Sequence, residues 1–429
     1  MHQADHHQQG SVGVTVTRHV IHADPAFSVP YEGSDPAISA LFPQGFFPSF
    51  GSGLAFKGVA ADGALELFCL TDRGPNGEGP MVPAPSGHGL SESKIFPAPS
   101  FTPSIGILRV DQAGARITSV TPMQMPDGAP VSGLPLPPGA AGSTGEVPLG
   151  DSLRYDPAGK ATFHAGGIDS EALAWDARRQ CLWITDEYGP YLASIDPATG
   201  RMLARYGPGQ GLPPVLALRR PNRGMEGMTL DPASDSIHAF LQSPLSDPND
   251  KNVERHARFL RWIEFDPQAG ATVAMHAYPL TPADYADGRT GNAKLGDLVA
   301  LGNGRFIVIE QGEGADGRMF NKLMLVDIAD ASDIAACGPE LEQDSVKGGA
   351  QWAAIRPLRK RQLLDLNALG WVAEKAEGLT LVDDCTLAMS NDNDFGMAAH
   401  ASRVVQVAEA DRPLTLWLLR FDQPFSTIS

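Results

Sequence analysis

The chain has 429 residues, of which 42% are hydrophobic, and its 50 acidic and 33 basic residues give a formal net charge of −17. A field of that sign repels nucleic acid and anionic membrane surfaces, so we expect neither as a partner. The 46 glycines and 36 prolines favour many short strands joined by tight turns over long helices.

The chain begins with a polar segment, Met1 to Gly10, whose His and Gln content predicts a disordered tail. The segment lacks the apolar stretch of a signal peptide, and no apolar run in the chain approaches the roughly 20 residues that span a bilayer. Two alternatives follow from the residues alone: a cytoplasmic protein, or an exported one whose leader has been removed. We expect no membrane insertion.

One pattern then occurs five times along the chain, in which a small turn leads into a short apolar strand and a second apolar strand ends on polar residues. The first strands begin at Ser52-Gly53-Leu54-Ala55, Glu171-Ala172-Leu173-Ala174, Glu226-Gly227-Met228-Thr229, Asp297-Leu298-Val299-Ala300 and Glu377-Gly378-Leu379-Thr380. The second strands are Leu65–Leu70, Cys181–Ile184, Ile237–Leu241, Phe306–Ile309 and Thr386–Met389. Such internal similarity is the signature of a repeat architecture.

Hairpins follow these strand pairs, with Asp or Pro opening the turn and Gly closing it, as in Asp196-Pro197-Ala198-Thr199-Gly200. Four strands per unit without βαβ helices predict an all-β fold, a β-propeller of five or six four-stranded blades. Leu414–Phe421 lacks a following strand and Val12–Ile21 lacks a preceding one. We therefore expect the N- and C-terminal strands to share a blade and close the ring, which removes exposed sheet edges.

This organisation makes residues 11–429 a single domain with two insertions. The Pro- and Gly-rich stretch 74–150 is predicted to form long loops over one face. Within residues 340–375, the apolar spacing of Arg356–Leu369 predicts one helix.

The four cysteines, Cys69, Cys181, Cys337 and Cys385, are too few for a disulfide framework and contain no CxxC pair. Three of them lie inside apolar strands, so buried free thiols are expected. A Cys337–Cys385 bridge is the alternative if the protein is exported.

In a propeller the first strand of each blade lines the central channel, so equivalent positions in successive blades meet around one axis. This geometry brings together Glu171, Glu226 and Glu377, and the loops after the second strands add Asp72, Asp186, Glu187, Glu310, Asp392 and Asp394. Like charges raise one another's pKa, and a hard cation with oxygen ligands, such as Ca²⁺, is the usual compensation. The alternative is that these acids cap turns and accept backbone N–H bonds.

Basic residues flank the acids, and they are Arg73, Arg223 and Lys375. They either pair with the neighbouring acids or hold an anionic substrate group such as phosphate, for which Arg offers a bidentate fork. The string Gly150-Asp151-Ser152-Leu153 matches the nucleophile motif of one esterase class, but the α/β context of that class is missing, so Ser152 is not expected to be catalytic.

Several strings resemble the family named for the esterase-like activity of phytase. They are Leu70-Thr71-Asp72-Arg73-Gly74-Pro75-Asn76, Asp169-Ser170-Glu171, Thr185-Asp186-Glu187-Tyr188-Gly189-Pro190, Asn222-Arg223-Gly224-Met225-Glu226-Gly227 and Asn391-Asp392-Asn393-Asp394-Phe395-Gly396. The resemblance implies a propeller-like fold, export to the periplasm or beyond, and phosphoesterase or phosphodiesterase chemistry. The chain departs from the family pattern at Gln311, where Arg is usual, and at Ala172, where Gly is usual.

Three functions remain open from the sequence. The first is a Ca²⁺-dependent phosphoesterase in which Asp72, Glu171, Asp186, Glu226, Glu310, Glu377, Asp392 and Asp394 hold one or more metals, while Arg73, Glu187, Arg223 and Lys375 are catalytic. The second is a metal-dependent lactonase or carboxylesterase that also uses Asn222 and Asn391. The third is a non-catalytic ligand-binding propeller with structural calcium. In each case we expect a monomer, with a small anionic ester as the ligand of the phosphoesterase.

Overall fold

The computed structural model describes residues 4–34, 36–40, 42–150, 163–400, 403–406 and 412–428, so the motif at residues 151–153 lies outside the described part. The regular structure is mostly β, which confirms the all-β prediction. The longer strands form five four-stranded groups, which we call sheets A to E, and within each group neighbouring strands pair antiparallel.

Each sheet is a meander of strands that pair in chain order, except that sheet E takes its outer strand from the N-terminal region. Sheet A contains Gly53–Val59, Leu65–Leu70, Ser104–Asp111 and Gly114–Pro122. Sheet B contains Ser170–Asp176, Cys181–Asp186, Tyr191–Ile195 and Met202–Pro208. Sheet C contains Met225–Asp231, Ser236–Leu241, Phe259–Asp266 and Ala271–Pro279. Sheet D contains Ala293–Gly302, Arg305–Glu313, Met319–Asp327 and Arg359–Asp365, and sheet E contains Leu379–Leu381, Thr386–Ser390, Thr415–Phe421 and Val12–His22.

The first strands of the five sheets contact one another in cyclic order, A with B, B with C, C with D, D with E, and E with A. In sheet E the N-terminal strand pairs with the last long strand, with Val14 opposite Phe421. Sheets A and E are also joined by a short parallel pairing at Ala115 and Ile21. The two ends of the chain thus share a sheet, as expected from the sequence, whereas the closed propeller itself stays a prediction.

Apolar side chains fill the spaces between neighbouring sheets, because alternate residues of a strand point to opposite faces. In sheet C, Trp262 packs with residues of sheet D, and the next residue, Ile263, packs with residues of sheet B. In sheet D, Ile307 faces sheet E and Val308 faces sheet C. Two further clusters join sheet A to sheets B and E. Burying each such side chain contributes about 1.5–3 kcal/mol, so the core is spread around the whole cycle of sheets.

Three predictions of local structure are wrong. The predicted disordered tail contains the strand Ala4–Gln9, which pairs with Val12–His22. The predicted loop insertion at 74–150 contains the third and fourth strands of sheet A, whose alternating pattern is flanked by Pro- and Gly-rich segments. The predicted helix Arg356–Leu369 instead contains the fourth strand of sheet D, Arg359–Asp365, because a ladder of bonds to Met319–Asp327 outweighs the local apolar spacing. The insertion at 340–375 does contain helices, but they are Glu340–Lys347 and Ala350–Ala353.

The remaining elements are short. The helices are Pro36–Ser39, Lys251–His256, Glu340–Lys347 and Ala350–Ala353. The 3-10 turns are Pro25–Phe27, Pro214–Leu218, Pro282–Asp284, Ala286–Gly288, Thr290–Asn292, Asn367–Leu369, Asp394–Gly396 and Phe425–Thr427. The minor strands are Gly77–Glu78, Val82–Pro83, Leu90–Ser91, Ser93–Phe96, Val147–Gly150, Gly211–Leu212, Met397–His400 and Arg403–Gln406.

The state of the cysteines and the lengths of the helices can be compared with the predictions from the sequence. All four cysteines are free thiols, so there is no Cys337–Cys385 bridge in this structure. Among the described residues, none of the helices combines the length and the apolar character that crossing a bilayer requires.

Candidate functional site

A cavity of about 660 Å³ opens where the first strands of the sheets meet, and its lining is dominated by charged side chains. We call it the carboxylate cavity. Its acidic residues are Asp72, Glu78, Glu92, Glu146, Asp169, Glu171, Glu187, Glu226, Glu374, Glu377 and Asp394. Its basic residues are Arg73, Lys94, Arg223, Lys294, Lys375 and Arg412.

Three glutamates from sheets B, C and E form the centre of this lining. Glu171, Glu226 and Glu377 each present a carboxylate oxygen within 4.8 Å of the others. Burial raises the pKa of all three carboxyls well above the usual range, and neighbouring acids add to the effect. The structure therefore brings together the three residues that the repeat placed on one axis.

Two of these carboxylates have unmet hydrogen-bonding capacity. Glu226 is 4% exposed and Glu377 is 6% exposed, yet the Oε2 atom of each has no hydrogen-bond partner among the described residues. A buried polar atom without a partner costs about 1–3 kcal/mol, and more if it is charged. The donor set consists of carboxylate oxygens, which are the ligands that a hard cation such as Ca²⁺ prefers, so these residues fit a cation.

Irregular strand geometry explains how two of these side chains reach the cavity. The pairing register shifts between Ser170 and Leu173 in sheet B and between Met225 and Met228 in sheet C, which places Glu171 and Glu226 in β-bulges. A bulge re-aims the side chain it carries. A Cβ on Gly227 would lie 2.5 Å from the backbone oxygen of Gly296, so only glycine allows this close approach of sheets C and D.

A second acidic group adjoins the first through Glu171. Asp169, Glu171 and Glu187 also present oxygens within 4.8 Å of one another. Arg73 compensates this group, since its Nη1 lies 3.4 Å from Asp169 and 3.4 Å from Glu146. Burial, followed by the charge of Asp169, raises the pKa of Glu187 to about 8.

Two other predicted basic residues also line the cavity. Lys375 Nζ lies 2.8 Å from Asp392, 2.8 Å from Asp394 and 3.8 Å from Glu377. Arg223 donates to the backbone oxygen of Ala293 at 2.8 Å, and burial together with the neighbouring Arg220 lowers its pKa to about 10. Of the three central glutamates, Glu377 thus has a cation close by, and Arg73, Arg223 and Lys375 all line the same cavity.

Three predicted metal ligands do not line this cavity. Glu310 is fully buried and accepts from Lys360 Nζ at 2.5 Å and from Tyr278 Oη at 2.5 Å. Asp186 accepts from the backbone N–H of Asp169 and Tyr188, and burial raises its pKa to about 6 although Arg205 opposes the rise. Asp392 lies behind Lys375 and accepts from Ser49 Oγ at 2.7 Å.

The lactonase hypothesis also relied on two asparagines. Asn222 lines the carboxylate cavity, where its Oδ1 accepts from Arg73 at 3.4 Å. Asn391 is held instead by Thr415, whose backbone N–H and Oγ1 both donate to its Oδ1. Asn391 does not line the carboxylate cavity.

Several lining residues were missed by the sequence reasoning. Asp169 lies two residues before the repeat start at Glu171, and the string Asp169-Ser170-Glu171 was the signal that could have identified it. Gln242, which follows the second strand of sheet C, and Gln311, which lies within the second strand of sheet D, also line the cavity. Glu146 lies in the stretch that is predicted to form loops, which has no repeat pattern.

The family model described as esterase-like activity of phytase matches residues 92–395. The chain belongs to this phytase-like family. The match includes Glu171, Glu226 and Glu377, whereas Asp72 and Arg73 precede it.

A protein from Arthroderma benhamiae, named an uncharacterized secreted protein, is 24% identical over 315 residues. The match covers 62% of this phytase-like chain and 59% of that relative, so the chain spans about three-fifths of the relative's length.

Two solved structures show only distant likeness to this phytase-like chain. An α-L-arabinofuranosidase from Podospora anserina is 10% identical with a TM-score of 0.39, over 95% of this chain and 97% of that one. An aldose sugar dehydrogenase from Streptomyces coelicolor is 10% identical with a TM-score of 0.32, over 95% of this chain and 98% of that one. Likeness at this level carries no argument about fold or function.

Proposed function

We propose that this protein is a calcium-dependent phosphoesterase or phosphodiesterase that hydrolyses a small anionic ester in the carboxylate cavity of a five-bladed β-propeller. The observation that carries the proposal is the convergence of Glu171, Glu226 and Glu377, two of which have a buried unpaired oxygen, in a cavity that also contains three predicted cations. The cyclic contacts of the first strands and the shared sheet E support the propeller.

Glu171, Glu226 and Glu377 would hold the cation, and Asp72 and Asp394 are the other predicted ligands that line the cavity. A bound Ca²⁺ supplies positive charge that polarises a phosphoryl oxygen. Asp186, Glu310 and Asp392 are not among the proposed ligands, because none of them lines the cavity and each accepts hydrogen bonds from other groups of the protein.

The remaining residues bind the anion and move protons. Arg73, Arg223 and Lys375 would neutralise the charge that develops on the phosphoryl group in the transition state. Glu187, which lines the cavity, would transfer a proton. Water adds to phosphorus, the P–O ester bond breaks, Glu187 gives its proton to the leaving oxygen, and a proton of the water restores it.

We also propose that the protein is exported and acts as a monomer on a small-molecule substrate. The secreted relative and the family support export, and the net charge of −17 disfavours nucleic acid as a partner. A monomer with a small-molecule substrate is sufficient for this chemistry.

The test is a substrate panel assayed with protein depleted of metal by chelation and then resupplied with Ca²⁺. We expect hydrolysis of phosphomonoesters or phosphodiesters that disappears on depletion and returns with Ca²⁺. Full turnover by metal-free protein would contradict the metal requirement, and hydrolysis of lactones alone would select the lactonase. Calcium binding without turnover of any ester would select a ligand-binding protein.

A further inference from the structure

A second cavity, of about 470 Å³, lies next to the carboxylate cavity and differs from it in character. Its walls are largely apolar, so we call it the apolar groove. Its apolar lining residues are Val20, Trp371, Val372, Ala373, Pro413 and Trp417. Binding sites for organic groups are typically concave and apolar, with a few polar groups at defined positions.

The two cavities share part of their walls. Glu374 and Arg412 line both of them. The Glu374 side chain is 56% exposed, and the Arg412 side chain is 26% exposed. Asp392 lines the groove and accepts from Lys375, which lines the carboxylate cavity. A ligand bound at the acidic and basic residues can therefore extend into the groove past the exposed Glu374 and past Arg412, which is held by Asp394 and by the backbone oxygen of Met397.

The groove also contains groups that the protein itself leaves unsatisfied. Val372 is 94% exposed and Val20 is 40% exposed, which are unfavourable positions for large apolar side chains in water. Trp371 is 2% exposed, and its Nε1 donor has no acceptor among the described residues.

The second indole of the groove is held rigidly. The Arg18 guanidinium lies 4.5 Å from the ring centroid of Trp417, and Arg18 is fixed by Asp5 at 2.7 Å and by the backbone oxygen of Leu369 at 2.6 Å. Trp417 packs edge-on against Trp371 with ring centroids 5.0 Å apart. Two rigid aromatic walls need little ordering when a ligand binds.

We infer that the substrate is amphiphilic: its phosphate binds in the carboxylate cavity, and an apolar organic group of the same ester occupies the groove against Trp371, Trp417 and Val372. The inference rests on the proposed function for the site of the phosphate. It favours esters of apolar alcohols over esters of polyols, because most hydroxyl groups of a polyol would lose water against the apolar walls of the groove without gaining partners. Each methylene fully buried there should tighten binding about fourfold.

The test is calorimetry with two non-hydrolysable probes, ethylphosphonate and hexylphosphonate, titrated into the full chain in CaCl₂. A double variant, Val20→Ser with Val372→Ser, removes exposed apolar surface from the groove. Its matched control, Val59→Ser with Val273→Ser, changes two valines that are 62% and 53% exposed and do not line either cavity. All four positions are exposed enough for the variants to fold.

We expect wild-type protein and the control to bind hexylphosphonate at least about tenfold more tightly than ethylphosphonate, and the groove variant to reduce that ratio at least about threefold. Equal affinity for the two probes would overturn the inference, and so would an unchanged ratio in the groove variant or failure of both probes to bind. Hydrolysis of ethyl and hexyl phosphate, measured separately, tests the proposed function. If neither ester is hydrolysed but the preference for hexylphosphonate remains, the proposed phosphoesterase activity is wrong, and the groove is still a binding site for an apolar group.

Discussion

Two sets of buried acids in this molecule differ in whether their carboxylate oxygens have hydrogen-bond partners. In sheet D, Glu310 has no exposed surface and accepts from Lys360, Tyr278 and Tyr285. In sheet C and at the start of sheet E, Glu226 and Glu377 each have an unpaired oxygen and lie beside a third glutamate. Burial alone therefore does not mark a functional carboxylate in this fold. The feature that sets the proposed cation ligands apart is an unpaired carboxylate oxygen beside a cavity.

The largest expected effect is on the free energy of unfolding, when the buried Lys360–Glu310 ion pair is broken. Lys360→Met leaves the carboxylate of Glu310 buried without its cation, and breaking a buried ion pair on one side typically costs about 3–5 kcal/mol. We expect the free energy of unfolding, from urea denaturation, to fall by that amount while esterase activity per folded molecule is retained. Loss of activity without loss of stability would place Glu310 in the functional site after all.

Glu226→Gln should have the opposite effect, with activity lost and stability retained. It removes a predicted cation ligand, so we expect hydrolysis to fall at least about 100-fold, in line with the loss of a group that acts on developing charge. Stability in the presence of a chelator should stay the same or rise, because one of three close like charges is gone. Glu264→Gln is the matched control, since Glu264 lies in the same sheet with Ser236 as its partner. A stability loss with unchanged activity would make Glu226 structural.

A third buried group, His238, should make the stability of the protein depend on pH. His238 is 2% exposed, its Nδ1 accepts from Trp262 Nε1 at 3.1 Å, and burial followed by the charge of His276 lowers its pKa to about 3. Its unfolded pKa is about 6.5, so below pH 6.5 the unfolded chain binds a proton that the folded chain does not. Stability should then fall as pH drops from 6.5 towards 3, with a slope of up to about 1.4 kcal/mol per pH unit.

The measurement for this prediction is urea denaturation at several pH values for wild type and His238→Gln. The variant should lose that part of the slope over the same window, while its carboxylates still contribute theirs. Identical slopes in the two proteins would mean that His238 is charged in the folded state.

The smallest expected effect separates two neighbouring arginines. Arg223 lines the carboxylate cavity, whereas Arg220 donates to Gly291 outside its lining. We expect Arg223→Gln to raise KM for a phosphate ester about fivefold, because one cation for the anionic substrate is lost. Arg220→Gln should leave KM unchanged. Equal effects from both variants would assign the change to packing.

Part of this picture could be predicted from the sequence. The five-fold repeat located the first two strands of every sheet, and identical residues at one repeat position placed Glu171, Glu226 and Glu377 together. The error at Glu310 arose because the second strand of sheet D continues to Glu313. In a continuing strand a one-residue step reverses the facing side, so Gln311 and not Glu310 reaches the cavity.

Other parts depend on contacts that no local pattern encodes. Glu146 is brought to Arg73 by a segment without repeat similarity, and the apolar groove joins Val20 to residues near Trp371 and Trp417, which are far apart in the chain. The strand Arg359–Asp365 forms only because sheet D offers an edge for it.

Calcium titration by calorimetry tests the central claim most directly, with wild type, Glu226→Gln and Asp384→Asn. Asp384 belongs to an exposed group with Asp383 and Cys385 that has the spacing of a metal site but not the burial. If the unpaired buried carboxylates form the cation site, wild type and Asp384→Asn bind Ca²⁺ alike and Glu226→Gln loses the binding. Unchanged Ca²⁺ affinity in Glu226→Gln would contradict the account.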